Sequence, residues 1–177
     1  MNYIFYQYYK TPFGELKIAS SGSSLCMCDW RYRKMREQID QRITKKSGNE
    51  FKEGNSDVIE ETKRQLQEYF ARERRDFDIP LLLGGSPFQQ RVWEELLKIP
   101  YGQTETYLGL SLRLGDPKAI RAVAGANGAN AISIIVPCHR IVGSNGEMVG
   151  YAGGMTAKRK LLELENEARK EMLLFED

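Results

Sequence analysis

The sequence predicts an α+β protein, with an antiparallel sheet and helices in its N-terminal part and a mainly helical C-terminal part. Three short runs rich in aromatic and β-branched residues follow one another near the N-terminus, separated by tight turns. Amphipathic helical patterns come next, and the C-terminal part contains two short helical patterns in helix-turn-helix order. At 177 residues, the chain is long enough for two small domains with a real core.

The first predicted elements are strands. They cover Tyr3 to Tyr9, Glu15 to Ser20 and Ser24 to Trp30, with turns at residues 11–14 and 21–23. Because the connections are so short, the strands are expected to form an antiparallel meander.

Two amphipathic helices are predicted after the strands. The first runs from Arg31 to Lys46 and the second from about Asp57 to Phe70, and the polar residues 47–55 between them are expected to form a mobile loop. The side chains expected to face the sheet are Met35, Ile39 and Ile43 in the first helix and Ile59, Thr62, Leu66 and Phe70 in the second.

Residues 84–85, two consecutive glycines, mark the predicted boundary between an N-terminal domain of residues 1–83 and a C-terminal domain of residues 86–177. A third helix is predicted to begin here, because Ser86 can cap it, Pro87 suits its first position and Gln89 completes a capping box. Its predicted inner stripe consists of Phe88, Val92 and Leu96.

Two short helices are predicted from Tyr107 to Leu114 and from Pro117 to Asn127. Asp116 is expected to cap the second helix and Pro117 to open it. This layout is typical of helix-turn-helix DNA-binding proteins, although helical hairpins of this length are also common in protein cores.

The second helix of this pair has an unusual predicted surface. Ile120 and Val123 are expected to face inward, whereas Ala122, Gly125 and Ala126 form a nearly flat stripe. Glycine in a helix costs about 1 kcal/mol relative to alanine, so Gly125 indicates either close helix packing or close approach to nucleic acid. A local set of cations suited to phosphate groups consists of Arg121, Lys118, Arg113 and Arg140.

A cysteine follows a rigid apolar segment. Residues 132–136 are predicted to be buried and extended, and Pro137 is expected to turn the chain just before Cys138. His139 is the only histidine and adjoins one of three cysteines. The pair is either structural or an activated nucleophile, since a thiolate at neutral pH needs a nearby base or positive charge.

A helix predicted from Met155 to Lys170 supplies a carboxylate for this pair. Glu163 lies on a solvated face, whereas Glu165 shares a face with Leu161, Leu162 and Ala168. A carboxylate on an apolar face needs a partner, and His139 is the natural candidate. Cys138, His139 and Glu165 are therefore predicted to act as nucleophile, base and orienting acid, with a water molecule able to relay the proton.

The composition excludes several other classes. The chain has 26 basic and 24 acidic residues, so its net charge of +2 argues neither for nor against nucleic acid as a partner. We expect no signal peptide and no membrane association, since no apolar run approaches the roughly 20 residues that span a bilayer. Three cysteines predict no disulfide framework, structural roles for Cys26 and Cys28, and a reducing, cytoplasmic setting. With one histidine, they also predict no metal site and no cofactor.

The C-terminal motifs closely resemble those of the O6-alkylguanine-DNA alkyltransferases, the methylated-DNA–protein-cysteine methyltransferase family. The resemblance covers about residues 86–168, and its motifs are Pro87-Phe88-Gln89-Gln90, residues 115–123, Asn130, Pro137-Cys138-His139-Arg140 and Tyr151-Ala152-Gly153-Gly154. It implies a winged-helix-like C-terminal domain. The N-terminal order of strands and helices is similar to the family's ribonuclease-H-like domain.

The resemblance implies DNA repair by direct damage reversal. The helix pair would enter the minor groove of double-stranded DNA, and Arg121 would fill the space left by a guanine rotated out of the stack. Cys138 would take the alkyl group from O6-alkylguanine, or from O4-alkylthymine, in an irreversible single turnover by a monomer. Non-catalytic lesion binding by a helix-turn-helix protein, and hydrolysis by a thiol enzyme, are the alternatives.

The resemblance also implies roles for individual residues. Tyr107 matches a tyrosine that donates to the departing base, and Asn130 matches a residue that braces the cysteine loop. The loop of residues 151–154 matches the pocket wall, formed by Tyr151, Ala152, Gly153 and Gly154, with Val136 and Pro137 beside it. Some family members have serine at the position of Ala152, and alanine lacks the hydroxyl contact that serine could make there.

Overall fold

The structure is a computed structural model that describes residues 2–173, with side chains described for residues 2–167. Residues 174–177 of the predicted C-terminal domain, and the side chain of Ala168 on the predicted apolar face, therefore lie outside the described residues. The described chain has the predicted α+β architecture, in which a sheet with helices precedes a mainly helical part.

The N-terminal sheet has four strands in the order β3-β2-β1-β4, with bounds β1 Tyr3–Thr11, β2 Gly14–Ser21, β3 Ser24–Trp30 and β4 Glu50–Glu53. Strands β1 to β3 form the predicted antiparallel meander. The prediction of a loop throughout residues 47–55 was wrong, because β4 pairs in parallel with β1. Strand β4 is a short edge strand that turns only Phe51 toward its neighbours, so it lacks the apolar alternation that identifies a strand.

Helix α1 spans Arg36–Ser47 and begins five residues later than predicted. Residues 31–35 form a turn, and Met35, predicted to face the sheet, is 49% exposed. The reason is the buried carboxylate of Asp29, which accepts hydrogen bonds from Arg33 and Arg36 and bends the segment around itself. Helix α2 spans Asp57–Phe70, as predicted, although Tyr69 is fully buried and Phe70 only half-buried.

Helix α3 spans Pro87–Leu96 and has the predicted capping box. The Ser86 hydroxyl accepts from the Gln89 backbone at 3.1 Å, and the Gln89 side chain accepts from the Ser86 backbone at 2.9 Å. The connector before it is tied to β3, since Leu25 exchanges backbone hydrogen bonds with Pro80 and Leu82. One cluster of buried side chains extends from β2 and β3 through α2 and α3 to α6, which spans Met155–Leu173.

The helix pair consists of α4 Tyr107–Arg113 and α5 Ile120–Gly128, and a small parallel pair of strands, β5 Glu105–Thr106 and β6 Ile141–Val142, lies beside it. The prediction that Pro117 opens α5 under an Asp116 cap was wrong. Asp116 instead accepts a hydrogen bond from the Lys118 backbone at 2.9 Å and closes a turn before the helix. Such a turn satisfies the carboxylate locally and delays the helix by three residues.

The exposed face of α5 differs from the predicted stripe. Ala126 is buried and its carbonyl accepts from the Trp93 indole at 2.8 Å, so it does not belong to the stripe. Ile120, predicted to face inward, is 39% exposed. The exposed small or basic residues of this face, hereafter the α5 face, are Arg121, Ala122, Ala124, Gly125 and Gly128.

Residues 132–136 are buried, as predicted, but they are not extended. The segment folds into a turn in which the Val136 backbone donates to the Ile132 carbonyl at 3.0 Å, and Ile134 has a φ of +71°. Tertiary hydrogen bonds thus override the strand propensity of these β-branched residues. A 3₁₀ turn, Cys138–Arg140, follows directly and carries the cysteine motif.

Candidate active site

Cys138 lies at the start of the 3₁₀ turn and borders a cavity of about 710 Å³ between the N-terminal and C-terminal parts of the molecule. The thiol is 3% exposed, and burial raises its pKa to about 11, although a hydrogen bond with Asn130 acts in the opposite direction. The cysteine is therefore a neutral thiol at rest, and it needs a base before it can act as a nucleophile.

His139 and Glu165 form a buried imidazole–carboxylate pair. Nε2 of the fully buried His139 lies 2.7 Å from Oε1 of Glu165. A carboxylate accepts hydrogen bonds, so Nε2 is a protonated nitrogen that donates to Glu165. Among the described residues, no group hydrogen-bonds to the buried Nδ1, and no direct hydrogen bond joins His139 to Cys138.

Arg140 completes the Glu165 site and was wrongly predicted to bind DNA. It is 6% exposed, and its Nε and Nη2 donate to the two Glu165 oxygens at 3.0 and 2.9 Å. Its Nη1 donates to the Ile99 carbonyl at 2.6 Å. A buried carboxylate must be compensated, and this guanidinium supplies the charge. Burial raises the pKa of Glu165, but the interactions with His139 and Arg140 outweigh that effect and hold the pKa below its usual value.

Asn130 braces the segment before the cysteine. Its amide nitrogen donates to the carbonyls of Val136 at 2.9 Å and Ile132 at 3.3 Å, and its oxygen accepts from the Ile132 backbone at 2.9 Å. These three bonds close the turn and fix the entry to the 3₁₀ turn. Asn130 therefore holds the backbone that places Cys138 at the cavity.

Tyr107, at the first position of α4, borders the cavity near Cys138. Burial raises the pKa of its hydroxyl, and a hydrogen bond with Asn127 partly offsets that effect. The hydroxyl is therefore a proton donor over the neutral pH range. Sequence reasoning missed Asn127, which is buried in α5 and also borders the cavity.

The predicted pocket loop, Tyr151, Ala152, Gly153 and Gly154, borders the cavity. Trp30 of β3 supports it, since the indole nitrogen donates to the Tyr151 hydroxyl at 3.1 Å. A Cβ at Gly153 would lie 2.5 Å from the indole ring, so a side chain there would displace Trp30. Trp30 belongs to the N-terminal part, and nothing in its local sequence indicated a place in the site.

Val136 and Pro137 do not border this cavity, contrary to the prediction. Val136 is fully buried behind the cysteine, and its carbonyl accepts from Asn130. Pro137 borders a separate cavity of about 330 Å³. Val136 ends the turn at residues 132–136 and Pro137 follows it, and Cys138 is the residue of this segment that borders the larger cavity.

Lys158 is a further residue that the sequence analysis missed. It is fully buried in α6, and its ammonium donates to the carbonyls of Ile141, Val149 and Gly150. These contacts fasten the loop that leads to the cavity. Lys158, Leu161 and Glu165 share one helix face, a periodicity that could have identified the lysine despite its charged neighbours.

The α5 face leads directly to the cavity, since Ala124 and Gly128 border it. Arg121 and Lys118 are exposed, whereas Arg113 is paired with Glu105 at 3.0 Å and contributes less free charge than predicted. Two arginines from the N-terminal part hold the end of α5: Arg33 donates to Gly128 at 2.5 Å, and Arg42 donates to Ala129 at 2.9 Å. A helix held in this way presents a fixed surface to a partner.

The residues that the structure describes contain no group of three or more histidine, cysteine, aspartate or glutamate side chains arranged to hold a metal ion. No helix within residues 2–173 is long and apolar enough to cross a membrane.

Comparison with known proteins gives matches along most of the chain. Residues 87–167 match the 6-O-methylguanine DNA methyltransferase, DNA binding domain, and residues 4–83 match the ribonuclease-like domain of the same family. The chain is 42% identical over 172 residues to the constitutive methylated-DNA–protein-cysteine methyltransferase of Bacillus subtilis, with 97% of this chain and 99% of the relative covered. The Haemophilus influenzae methylated-DNA–protein-cysteine methyltransferase is 40% identical over 166 residues, covering 93% and 88%.

Solved structures agree. The crystal structure of Mycobacterium tuberculosis O6-methylguanine methyltransferase is 39% identical, with a TM-score of 0.80 and coverage of 98% of this chain and 99% of that one. A structure of the M. tuberculosis protein OGT in complex with DNA is 40% identical, with a TM-score of 0.79 and coverage of 93% and 94%.

A helix-turn-helix whose flat helix leads to a buried cysteine, backed by an imidazole and a carboxylate, defines a DNA-binding protein with a thiol nucleophile. The chain belongs to the 6-O-methylguanine DNA methyltransferase family. It repairs DNA by transferring alkyl groups from DNA to cysteine, which confirms the function predicted from the sequence. The alternatives of a non-catalytic DNA-binding protein and a thiol hydrolase are set aside.

Proposed function

We propose that Cys138 is the alkyl acceptor and that its substrate is O6-alkylguanine in double-stranded DNA. One observation carries this proposal: the Cys138 thiol borders a cavity that is continuous with the α5 face. Cys26 and Cys28 do not border that cavity, and burial raises the pKa of Cys26 to about 12 and that of Cys28 still further. These two cysteines pack as apolar side chains.

The first step is deprotonation of the thiol. The Cys138 proton passes through one water molecule to Nδ1 of His139, whose other nitrogen is held by Glu165 at 2.7 Å. Ionised Glu165 stabilises the imidazolium that forms. The thiolate then attacks the alkyl carbon, so that an S–C bond forms while the C–O bond to guanine breaks.

The second requirement is a stable leaving group. Guanine leaves with the electron pair of the broken C–O bond, and the Tyr107 hydroxyl donates a hydrogen bond to it. Backbone amides of residues 151–154 face the guanine oxygen. Guanine takes up one proton for the one that left the thiol, so the reaction balances without an oxidant or a reductant. The thioether is not hydrolysed, and each monomer acts once.

The proposal is tested by intact-mass and peptide-mass measurement after incubation with duplex DNA that contains O6-methylguanine. We expect one methyl group per protein, located on Cys138. Cys138→Ala should remain at its unmodified mass, and Cys26→Ala should still gain one methyl group. A wild-type protein that stays unmodified, or a methyl group on another residue, would contradict the assignment.

Arg121 is proposed to hold the damaged base out of the duplex, since its exposed side chain rises from the small residues of the α5 face. Arg121→Ala should slow methyl transfer from duplex DNA about tenfold, because refilling the stack is worth a few kcal/mol at most. Transfer from single-stranded DNA should change less than about twofold, since an unpaired base costs little to extrude. Single-turnover rates on the two substrates measure the difference.

Lys118→Ala is the matched control for Arg121→Ala. Lys118 is also exposed beside α5, and it is proposed only to contact phosphate. Its loss should weaken the reaction with duplex and single-stranded DNA to a similar extent. If Arg121→Ala also lowers both rates equally, Arg121 is a phosphate contact and does not support the extruded base.

A further inference from the structure

Tyr69 connects helix α2 of the N-terminal part to the reacting site. Its hydroxyl donates to Oε1 of Glu165 at 2.9 Å, and its side chain is fully buried. Oε1 is the oxygen that also accepts from Nε2 of His139 at 2.7 Å and from Nη2 of Arg140 at 2.9 Å. The carboxylate oxygen that orients the base is therefore shared with a hydroxyl that lies 96 residues earlier in the chain.

Arg140 already fixes the position of the carboxylate, because it donates to both oxygens. The Tyr69 hydroxyl therefore adds something other than placement of the Glu165 side chain. A donor on Oε1 withdraws electron density from that oxygen and weakens its attraction for a second proton donor. The second donor here is the His139 imidazole, whose protonated form gains most from an electron-rich Oε1.

We propose that Tyr69 acts on the alkyl-transfer site through Glu165: its hydroxyl competes with His139 for Oε1 and so disfavours the protonated imidazole. The neutral ring leaves Nδ1 free to receive the Cys138 proton. This assignment rests on the proposed function of Cys138 and His139. It makes the base of the C-terminal part depend on a helix of the N-terminal part.

The groups that face this carboxylate come from several elements. Tyr69 lies on α2, Tyr101 lies between α3 and β5, and His139 and Arg140 lie in the 3₁₀ turn. The Tyr151 ring lies 6.4 Å from the His139 ring. Burial and the Glu165 charge both raise the pKa of Tyr69 and of Tyr101, so both phenols stay protonated over the range in which an imidazole titrates.

The test uses the single histidine of the chain. Nitrogen and proton NMR of the imidazole reports the pKa of His139 without ambiguity, and it does not depend on alkyl transfer. Tyr69→Phe should raise the pKa of His139 by about half a unit to one unit, since one unit is a tenfold change in proton affinity. The acid limb of the pH–rate profile for methyl transfer should move to higher pH by the same amount.

Tyr101→Phe is the matched control. The Tyr101 ring lies 6.2 Å from the Tyr69 ring, and its buried hydroxyl has no hydrogen-bond partner among the described residues. Its removal should leave both the pKa of His139 and the acid limb unchanged. Thermal unfolding of both variants shows whether either substitution loosens the fold.

A second measurement covers the case in which Tyr69→Phe fails to fold. Incorporation of 3-fluorotyrosine at position 69 keeps the hydroxyl and makes it a stronger donor, so the pKa of His139 should fall. An unchanged pKa of His139 in both altered proteins would overturn the proposal, as would a uniform loss of rate without a shift of the acid limb. Failure of the proposed function is distinct, because it leaves Cys138 unmethylated whatever the imidazole does.

Discussion

Glu165→Gln is expected to lower the free energy of unfolding by about 3–5 kcal/mol, the usual cost of breaking a buried ion pair. Glutamine removes the charge that compensates the buried Arg140 guanidinium, and its amide cannot accept from Tyr69, His139 and Arg140 at once. Methyl transfer should slow at least about tenfold, because the imidazolium formed during the reaction loses its carboxylate. Urea unfolding and single-turnover kinetics measure the two effects.

Glu163→Gln is the matched control, because Glu163 lies two residues before Glu165 but on the solvated side of α6. Its side chain is 61% exposed and reaches Arg159 only at 3.9 Å. An exposed pair of this kind contributes about 0–1 kcal/mol, so stability and rate should both stay near those of the unchanged protein. Equal stabilities of the two variants would contradict the role given to the buried Glu165 network.

The stability difference between the unchanged protein and Glu165→Gln should also depend on pH. The folded-state pKa of Glu165 lies below its ordinary value of 4.5. Such a carboxylate contributes its full stabilisation above the ordinary value and loses it as the pH falls through the lower, folded-state value. The advantage of the unchanged protein should therefore be constant near neutrality and shrink below pH 4.5. Urea unfolding of both proteins at a series of acidic pH values tests whether the stability difference shrinks as the pH falls.

Local sequence signals predicted the elements that local physics determines. The meander follows from alternating runs with short turns, and α3 follows from a capping box whose two hydrogen bonds the structure contains. The α6 periodicity correctly separated the buried Glu165 from the exposed Glu163. In each case the residues that determine the structure lie within a few positions of one another.

The errors have the opposite origin. Residues 132–136 have strand propensity, but the Asn130 amide and backbone contacts close them into a turn. Arg140 is a charged residue of a type usually found at the surface, but its carboxylate partner lies 25 residues away on another element. Trp30 enters the site only when the sheet packs against the residue 151–154 loop. Contacts between distant segments decide these positions, and a local pattern does not contain them.

Substitution of Gly125 is the other change with a large expected effect. The surroundings of this glycine distinguish its two explanations, close helix packing and close approach to DNA. A Cβ built at Gly125 meets no atom within 4 Å, so close helix packing does not require glycine at this position. Gly125 lies on the exposed α5 face, one turn from Arg121. The remaining explanation is close approach to DNA, in which any side chain would hold the helix away from the groove.

The free energy of unfolding of Gly125→Leu should therefore equal that of the unchanged protein or exceed it by up to about 1 kcal/mol, because leucine is the better helix former. Its affinity for duplex DNA should nevertheless fall about thirtyfold, a loss of about 2 kcal/mol in binding. Methyl transfer from the free base O6-methylguanine should be unchanged, since the cavity lies beyond this residue. Gly125→Ala, with a single added carbon, should show a smaller loss. Unchanged DNA affinity in Gly125→Leu would mean that the α5 face does not meet the duplex.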